Sequence, residues 1–329
     1  MPDPIILGSF AGGLILLVLG GDLLVRGAVR AGRAFGISPL VAGIFIVALG
    51  TSLPEGIVSV SAAFSGSPGL AVGNIVGSSI ANVFLVLAIP ALIFPVMAGG
   101  PGQRRALSAT LLATAVWIGM TAIMPLTPLM GLCFLFILVG YTGLSLFAAA
   151  RDQVAGKPTG VREPAPSGPP LWRALIYVPL GAAALVFASG LIVDSASVAA
   201  RTVGVPQEYI GLTLLAVGTS LPEIAASLAA AFRQRGDVLV GNILGSNILN
   251  ILGAGGLAAF SGPIAIAPLL HAYDHWVMGL AALVLAVLIL TRARIGRLIG
   301  LLLLLVYAAY IYGLVNGVSL LALYRVLAG

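Results

Sequence analysis

The chain has 329 residues, 60% of them hydrophobic and only 8% charged, and a formal net charge of +6. Soluble domains carry about 25% charged residues, so this composition cannot cover a water-facing exterior. Long apolar runs recur throughout, which makes the chain an all-α polytopic membrane protein; the roughly ten-residue alternating segments of an outer-membrane barrel are absent. The basic residues stand singly between apolar spans, so the positive balance reflects membrane topology and argues against nucleic acid as a partner.

Ten spans are expected, at residues 5–24, 38–64, 70–96, 107–124, 129–149, 174–193, 207–232, 238–260, 277–290 and 299–315. The opening "MPDPIILGSF" lacks a basic n-region and reads as the lead into a retained first helix. The ninth span is short unless it begins nearer Leu270. Cys133, the single cysteine, lies in the fifth span and allows no intrachain disulfide. Between spans five and six, "RDQVAGKPTGVREPAPSGPPLW" is rich in Pro, Gly and charge. The expected division is therefore a first five-helix repeat (1–150), a cytoplasmic linker (151–172) and a second five-helix repeat (173–329).

With the N-terminus outside, fourteen of the sixteen Lys and Arg residues fall on the inner side, and only Arg201 and Arg325 stay outside. This positive-inside bias places both termini outside. Arginine outnumbers lysine fifteen to one, which hints at a GC-rich bacterial genome and a bacterial inner (plasma) membrane. Five spans per half also means that the halves enter the membrane in opposite directions. A gapless shift of 168 residues overlays 33–55 on 201–223 with ten identities in twenty-three positions. The same shift overlays "GNIVGSSIAN" (73–82) on "GNILGSNILN" (241–250) with seven in ten. Matching halves of opposite direction form an inverted-topology repeat, whose binding site lies near the bilayer midplane.

Each half carries a carboxylate in its apolar interior: "ALGTSLPEGIVS" (48–59) holds Glu55, and "AVGTSLPEIAAS" (216–227) holds Glu223. Charge in hydrocarbon is expensive, and no Lys or Arg falls inside a span core to neutralise it. Two such carboxylates imply bound protons or bound metal cations. Pro54 and Pro222 each prevent one main-chain hydrogen bond, at Gly50 and Gly218. The expected result is a helix break that frees carbonyls near Ala48 and Ala216 as cation ligands. Thr51 and Thr219 share a face with the glutamates, and Ser52 and Ser220 add hydroxyls. In the second motif, Asn74, Ser78 and Asn82 recur every four residues, as do Asn242, Ser246 and Asn250. Such stripes serve either as interhelical glue or as the rest of a cavity. Oxygen donors without thiolate or imidazole suit hard cations such as Ca²⁺ and Na⁺.

Asp22 reads as a capping or interfacial charge, and Asp194, Glu208 and Arg201 as solvated charges in the outer loop after span six. "HAYDH" (271–275) resembles a small metal site without a convincing third ligand. No Ser-His-Asp, HExxH or P-loop pattern is present to carry catalysis or nucleotide hydrolysis, and no cofactor is expected.

The paired "GTSLPE" and "GNI(V/L)GS(S/N)I(A/L)N" segments resemble the two alpha repeats of the calcium/cation antiporter superfamily, most closely those of prokaryotic sodium/calcium exchangers. The resemblance covers essentially the whole chain. It implies Ca²⁺/Na⁺ antiport by alternating access, with the first and sixth spans sliding across the rest; Ca²⁺/H⁺ exchange at the same site is the alternative. It implies that Glu55 and Glu223 are the principal ligands shared by Ca²⁺ and Na⁺. Thr51, Thr219, Ser52, Ser220, Ser78, Ser246 and the carbonyls of Ala48 and Ala216 would complete the sites, and Asn82 and Asn250 match the family's central pair. Its partners are then the cations and the lipid bilayer, with a monomer as the expected functional unit. Two departures stand out: asparagine occupies both central positions where one aspartate is common, and Ser79 replaces the asparagine kept at Asn247.

Overall fold

The computed structural model describes residues 4–154, 170–202, 218–266 and 270–316. Among these residues ten helices follow one another. They are α1 (Pro4–Ala34), α2 (Pro39–Phe64), α3 (Pro68–Ile93), α4 (Gln103–Ile123), α5 (Pro128–Val154), α6 (Leu171–Thr202), α7 (Leu221–Phe232), α8 (Gly236–Ser261), α9 (His275–Leu290) and α10 (Arg297–Val315). A widened turn, Leu270–Asp274, leads directly into α9 and gives the ninth span the length it lacked on paper. Eight of the helices are long and apolar enough to cross a membrane by themselves; α7 and α9 are the shorter two.

Several expected boundaries shift for local reasons. Helix α1 continues ten residues past its apolar run, because nothing breaks it before Gly36, whose φ of +69° closes the turn. Arg26, Arg30 and Arg33 are therefore helical. Helix α6 likewise runs to Thr202 through an Ala- and Ser-rich stretch without a breaker, so Asp194 and Arg201 are helical, not loop residues. Asp194 is exposed, as expected, and Glu208 lies outside the described residues. Asp22 receives two arginines: Arg26, one turn on at 2.7 Å, and Arg233 at the end of α7, whose Nε donates at 2.7 Å.

Connections assigned to the same side of the membrane meet in space. The strand β1 (Val96–Met97), after α3, pairs antiparallel with β2 (Arg294–Ile295), before α10; both belong to inner loops. Leu126 and Ile264, both in outer connections, form an antiparallel bridge.

Helices α3 and α8, which carry the Asn-Ser-Asn stripes, form the centre. Their most apolar stretches are 83% and 78% buried, against 17% in α5. Around them, large side chains such as Phe136, Leu298 and Ile57 face outward, as hydrocarbon contact requires. Helices α1 and α6 pack along nearly their full length through small residues. A Cβ on Gly181 would meet the Leu24 backbone nitrogen at 2.5 Å, so two main chains touch there. Between the repeats, α2 lies on α8 in the same manner: a Cβ on Gly241 would stand 2.5 Å from the Leu40 carbonyl, and one on Gly43 2.5 Å from the Val238 carbonyl. Gly241 and Gly245, four residues apart on α8, thus make a backbone-to-backbone contact with the other repeat.

Candidate cation site

Four helices converge at the centre: α2 and α3 from the first repeat, α7 and α8 from the second. None of the four contains a Lys or Arg. Glu55 and Glu223 are both completely enclosed, and their carboxyls lie close enough to interact directly. Ser52 Oγ donates to Glu223 Oε1 at 2.9 Å and makes a second hydrogen bond, 2.8 Å long, with the Ser246 hydroxyl. One polar chain thus joins α2, α7 and α8. Among the described residues, both carboxylate oxygens of Glu55 and the Oε2 of Glu223 have no hydrogen-bond partner, which leaves three enclosed acceptor oxygens.

Thr51 lies beside the Glu223 carboxyl and shares its hydroxyl between the Ala48 carbonyl at 3.3 Å and Asn242 Oδ1 at 3.2 Å. Ser78, Ser220, Ser246, Thr219, Asn82 and Asn250 are all buried. Ala216 lies outside the described residues. A second tier supports the first, and the sequence reading had left it out of the ligand set. Asn74 Nδ2 donates to the main-chain carbonyl of Glu55 at 3.1 Å and to Ser59 Oγ at 2.9 Å, while Asn242 Nδ2 donates to Ser227 Oγ at 3.2 Å. Ser59 and Ser227 each follow their glutamate by four residues, a repeat-to-repeat identity that could have identified them.

The proline-generated break takes a different form from the one expected. Helix α2 stays wound across Pro54, and the Ala48 carbonyl is taken by the Thr51 hydroxyl. The irregularity lies one turn earlier, in the widened turn Gly43–Val47, where Ala48 N bonds to the Gly43 carbonyl. In the second repeat the winding is interrupted at Ser220, just before Pro222. The Gly218 carbonyl, deprived of its donor by Pro222, accepts from the Ser189 hydroxyl of α6. The counterpart of Ser189 in the first repeat is Gly21, where α1 instead presses on the Ala225 carbonyl. Ser189→Ala should leave that carbonyl without a donor and cost about 1–3 kcal/mol. Thermal unfolding of the purified variant in detergent checks this.

Widened turns also hold the central pair. Asn82 opens the turn Asn82–Val86 and Asn250 lies in Leu249–Ala254, each accepting a main-chain bond from five residues on. Such turns concentrate at functional sites because they displace a side chain from regular helical register. No composition or periodicity signal marks them. The Asn82 Nδ2 donates to Asn247 Oδ1 at 3.0 Å, whereas neither polar atom of Asn250 has a partner.

The "HAYDH" segment is accounted for differently. Asp274 accepts from the Tyr310 hydroxyl at 2.8 Å, and Tyr273 stacks on Tyr310 with ring centroids 5.7 Å apart. Among the described residues no group of three or more His, Cys, Asp and Glu is placed to hold a metal. What the centre offers is carboxylate, hydroxyl and carboxamide oxygen, the donor set of a hard, transient cation.

Comparison with known proteins agrees with this architecture. A family model described as "Sodium/calcium exchanger protein" matches residues 5–147 and 173–316. The chain is 36% identical over 307 residues to the putative antiporter CaxA of Alkalimonas amylolytica, covering 91% of this chain and 95% of that one. It is 35% identical over 311 residues to the inner membrane protein YrbG of Escherichia coli, covering 92% and 95% respectively. Among solved structures, the sodium-calcium exchanger NCX_Mj soaked with 10 mM Na⁺ and zero Ca²⁺ superposes with a TM-score of 0.78 at 30% identity, covering 94% of this chain and 98% of that one.

Proposed function

The chain belongs to the sodium/calcium exchanger family, and from that premise we propose that it is a secondary antiporter moving Ca²⁺ against Na⁺ by alternating access. The observation that carries this reading is the enclosed pair Glu55 and Glu223, three of whose oxygens meet no protein donor on helices that lack Lys and Arg. An enclosed, unneutralised carboxylate pair is costly unless a cation completes it. Ca²⁺ takes six to eight oxygen ligands, so the glutamates alone do not suffice. Thr51, Ser52, Ser78, Thr219, Ser220, Ser246, Asn82 and Asn250 supply further side-chain oxygens, and Ala48 and Ala216 supply main-chain carbonyls. At Ala48 this requires the Thr51 hydroxyl to turn away as the ion enters.

The two halves, 1–150 and 173–329 around the 151–172 linker, each contribute one helix, α1 and α6, to the pair that moves. Small-residue contacts hold α1 and α6 together as one unit, and small residues also face the remainder at Gly21 and Gly32, which suits sliding of that pair across it. One chain contains both halves of the site, so the monomer is the functional unit. Its similarity to an inner membrane protein of a bacterium supports a bacterial inner-membrane location.

Charge sets the coupling. Two glutamates balance one Ca²⁺ or two Na⁺, and asparagine at both 82 and 250 contributes no further negative charge. Loading three Na⁺ would leave one uncompensated positive charge in a low-dielectric site. The exchanger is therefore expected to move fewer than three Na⁺ per Ca²⁺. The same neutral pair favours the second reading, Ca²⁺/H⁺ exchange with the glutamates as proton carriers. Uptake of radiolabelled Ca²⁺ into proteoliposomes, with Na⁺ and pH gradients imposed separately, tests both. A Na⁺ gradient should drive uptake at constant pH, and a reversal potential corresponding to three Na⁺ per Ca²⁺ would overturn the charge argument. Ca²⁺ flux indifferent to every counter-cation would indicate a channel and overturn antiport altogether.

A further inference from the structure

We propose that the lack of an anchoring amide at position 79 makes the two halves of the cation site unequal: the Asn250 carboxamide stays free to rotate, while its counterpart at Asn82 is pinned. The proposal rests on the antiporter reading above. The repeat relation makes the asymmetry visible. Asn82 Nδ2 donates to Asn247 Oδ1 at 3.0 Å, so the Asn82 amide is held in one orientation with its oxygen pointing away from that anchor. By the 168-residue shift, Asn250 should be anchored by the residue at position 79. That residue is serine, and its hydroxyl donates to the Ile75 carbonyl of its own helix at 2.8 Å. Asn250 is 1% exposed, and among the described residues neither its Nδ2 nor its Oδ1 has a hydrogen-bond partner.

A buried carboxamide with both groups unsatisfied is a costly arrangement, and a native protein keeps one where a ligand completes it. Asn250 lies one turn beyond Ser246, which is tied through Ser52 to Glu223, and in a widened turn packed on α2 and α3. A free amide can turn its oxygen toward a bound cation and its N–H toward a carboxylate once that cation has left. A pinned amide can do only one of these. An exchanger must bind, release and replace its cargo within one cycle, and the rotating amide lowers the cost of the step between ions. Pinning it would preorganise the oxygen, tightening binding and slowing release.

Ser79→Asn tests this by supplying the missing anchor. The apparent affinity for Ca²⁺ should rise about fivefold and maximal exchange should fall by a similar factor, the scale of one hydrogen bond. Ser79→Ala removes the hydroxyl without adding an anchor and should leave both values at wild type. Adding Asn247→Ser to Ser79→Asn frees Asn82 while Asn250 is pinned, and should restore exchange; a packing defect at position 79 would not be relieved in that way. The proposal is overturned if Ser79→Asn matches Ser79→Ala in both values, or if the double variant stays slow. Binding of radiolabelled Ca²⁺ to the purified protein in detergent separates the two levels. Absence of binding by the wild type would sink the antiporter reading itself, whereas equal binding by wild type and Ser79→Asn would sink only the role of position 79.

Discussion

Glu55→Gln and Glu223→Gln will each abolish Ca²⁺ transport while leaving the protein folded and inserted. Glutamine keeps the volume and one acceptor oxygen of glutamate but removes the charge. A divalent ion entering a site with one remaining carboxylate would carry an uncompensated charge in a low-dielectric surround. Leaving a buried charge unpaired costs about 3–5 kcal/mol, or roughly a hundredfold to a few thousandfold in affinity. Folding should survive because the protein itself does not use the charges. Among the described residues neither oxygen of Glu55 has a hydrogen-bond partner, and the hydrogen bond that Glu223 accepts from Ser52 can be kept by the glutamine Oε1. Proteoliposome uptake normalised to inserted protein is the measurement. Near-normal uptake by either variant would remove the two-glutamate site from consideration.

Gly245→Ala should be almost as damaging, although it changes no ligand and no charge. A Cβ at this position would stand 2.5 Å from the Ile44 carbonyl oxygen, 2.7 Å from Ile44 Cα and 2.8 Å from Ala48 Cβ, all on α2. Backbone cannot move aside as a flexible side chain can, so α2 and α8 must separate. The next residue, Ser246, holds Ser52 at 2.8 Å, and that contact would be stretched first. Overpacking of this kind costs about 1–3 kcal/mol. The expected outcome is a lowered unfolding midpoint in detergent together with at least a tenfold loss of transport. Gly12→Ala provides the control: it lies exposed on α1, with no described atom within 4 Å of the added methyl, and should transport normally. Equal behaviour of the two variants would show that the close approach at Gly245 does not position the site.

Much of the architecture was legible in the sequence because hydrocarbon is a strict solvent. It demands long apolar helices with internally satisfied main chains, so ten runs of apolar residues became ten helices with modest boundary errors. Those errors fell where helices leave the membrane, at Arg26–Arg33 and at Asp194–Arg201, since hydropathy reports the bilayer and not the helix. The buried carboxylates were equally plain. An ionisable residue in such surroundings needs a purpose, and Glu55 and Glu223 announced themselves twice in matching segments. The ten-span count and the placement of Lys and Arg even foretold which loops share a side, and the strand pairing of Val96–Met97 with Arg294–Ile295 agrees with that.

Other features were decided only when the helices packed. The widened turns at Gly43, Asn82 and Asn250 depend on how one helix must yield to another, and no residue type specifies them. The fate of each proline was also tertiary: the carbonyl freed by Pro222 found Ser189 on another helix, while α2 stayed wound across Pro54. Sequence by itself determined the membrane setting, the inverted repeat and the two charges, because composition and periodicity are sums over many residues. The tertiary structure alone decided that Asn82 is anchored and Asn250 is not. Hydrogen bonds span about three ångströms in a set direction, and two identical amides differ in their partners because a single neighbour reaches or falls short.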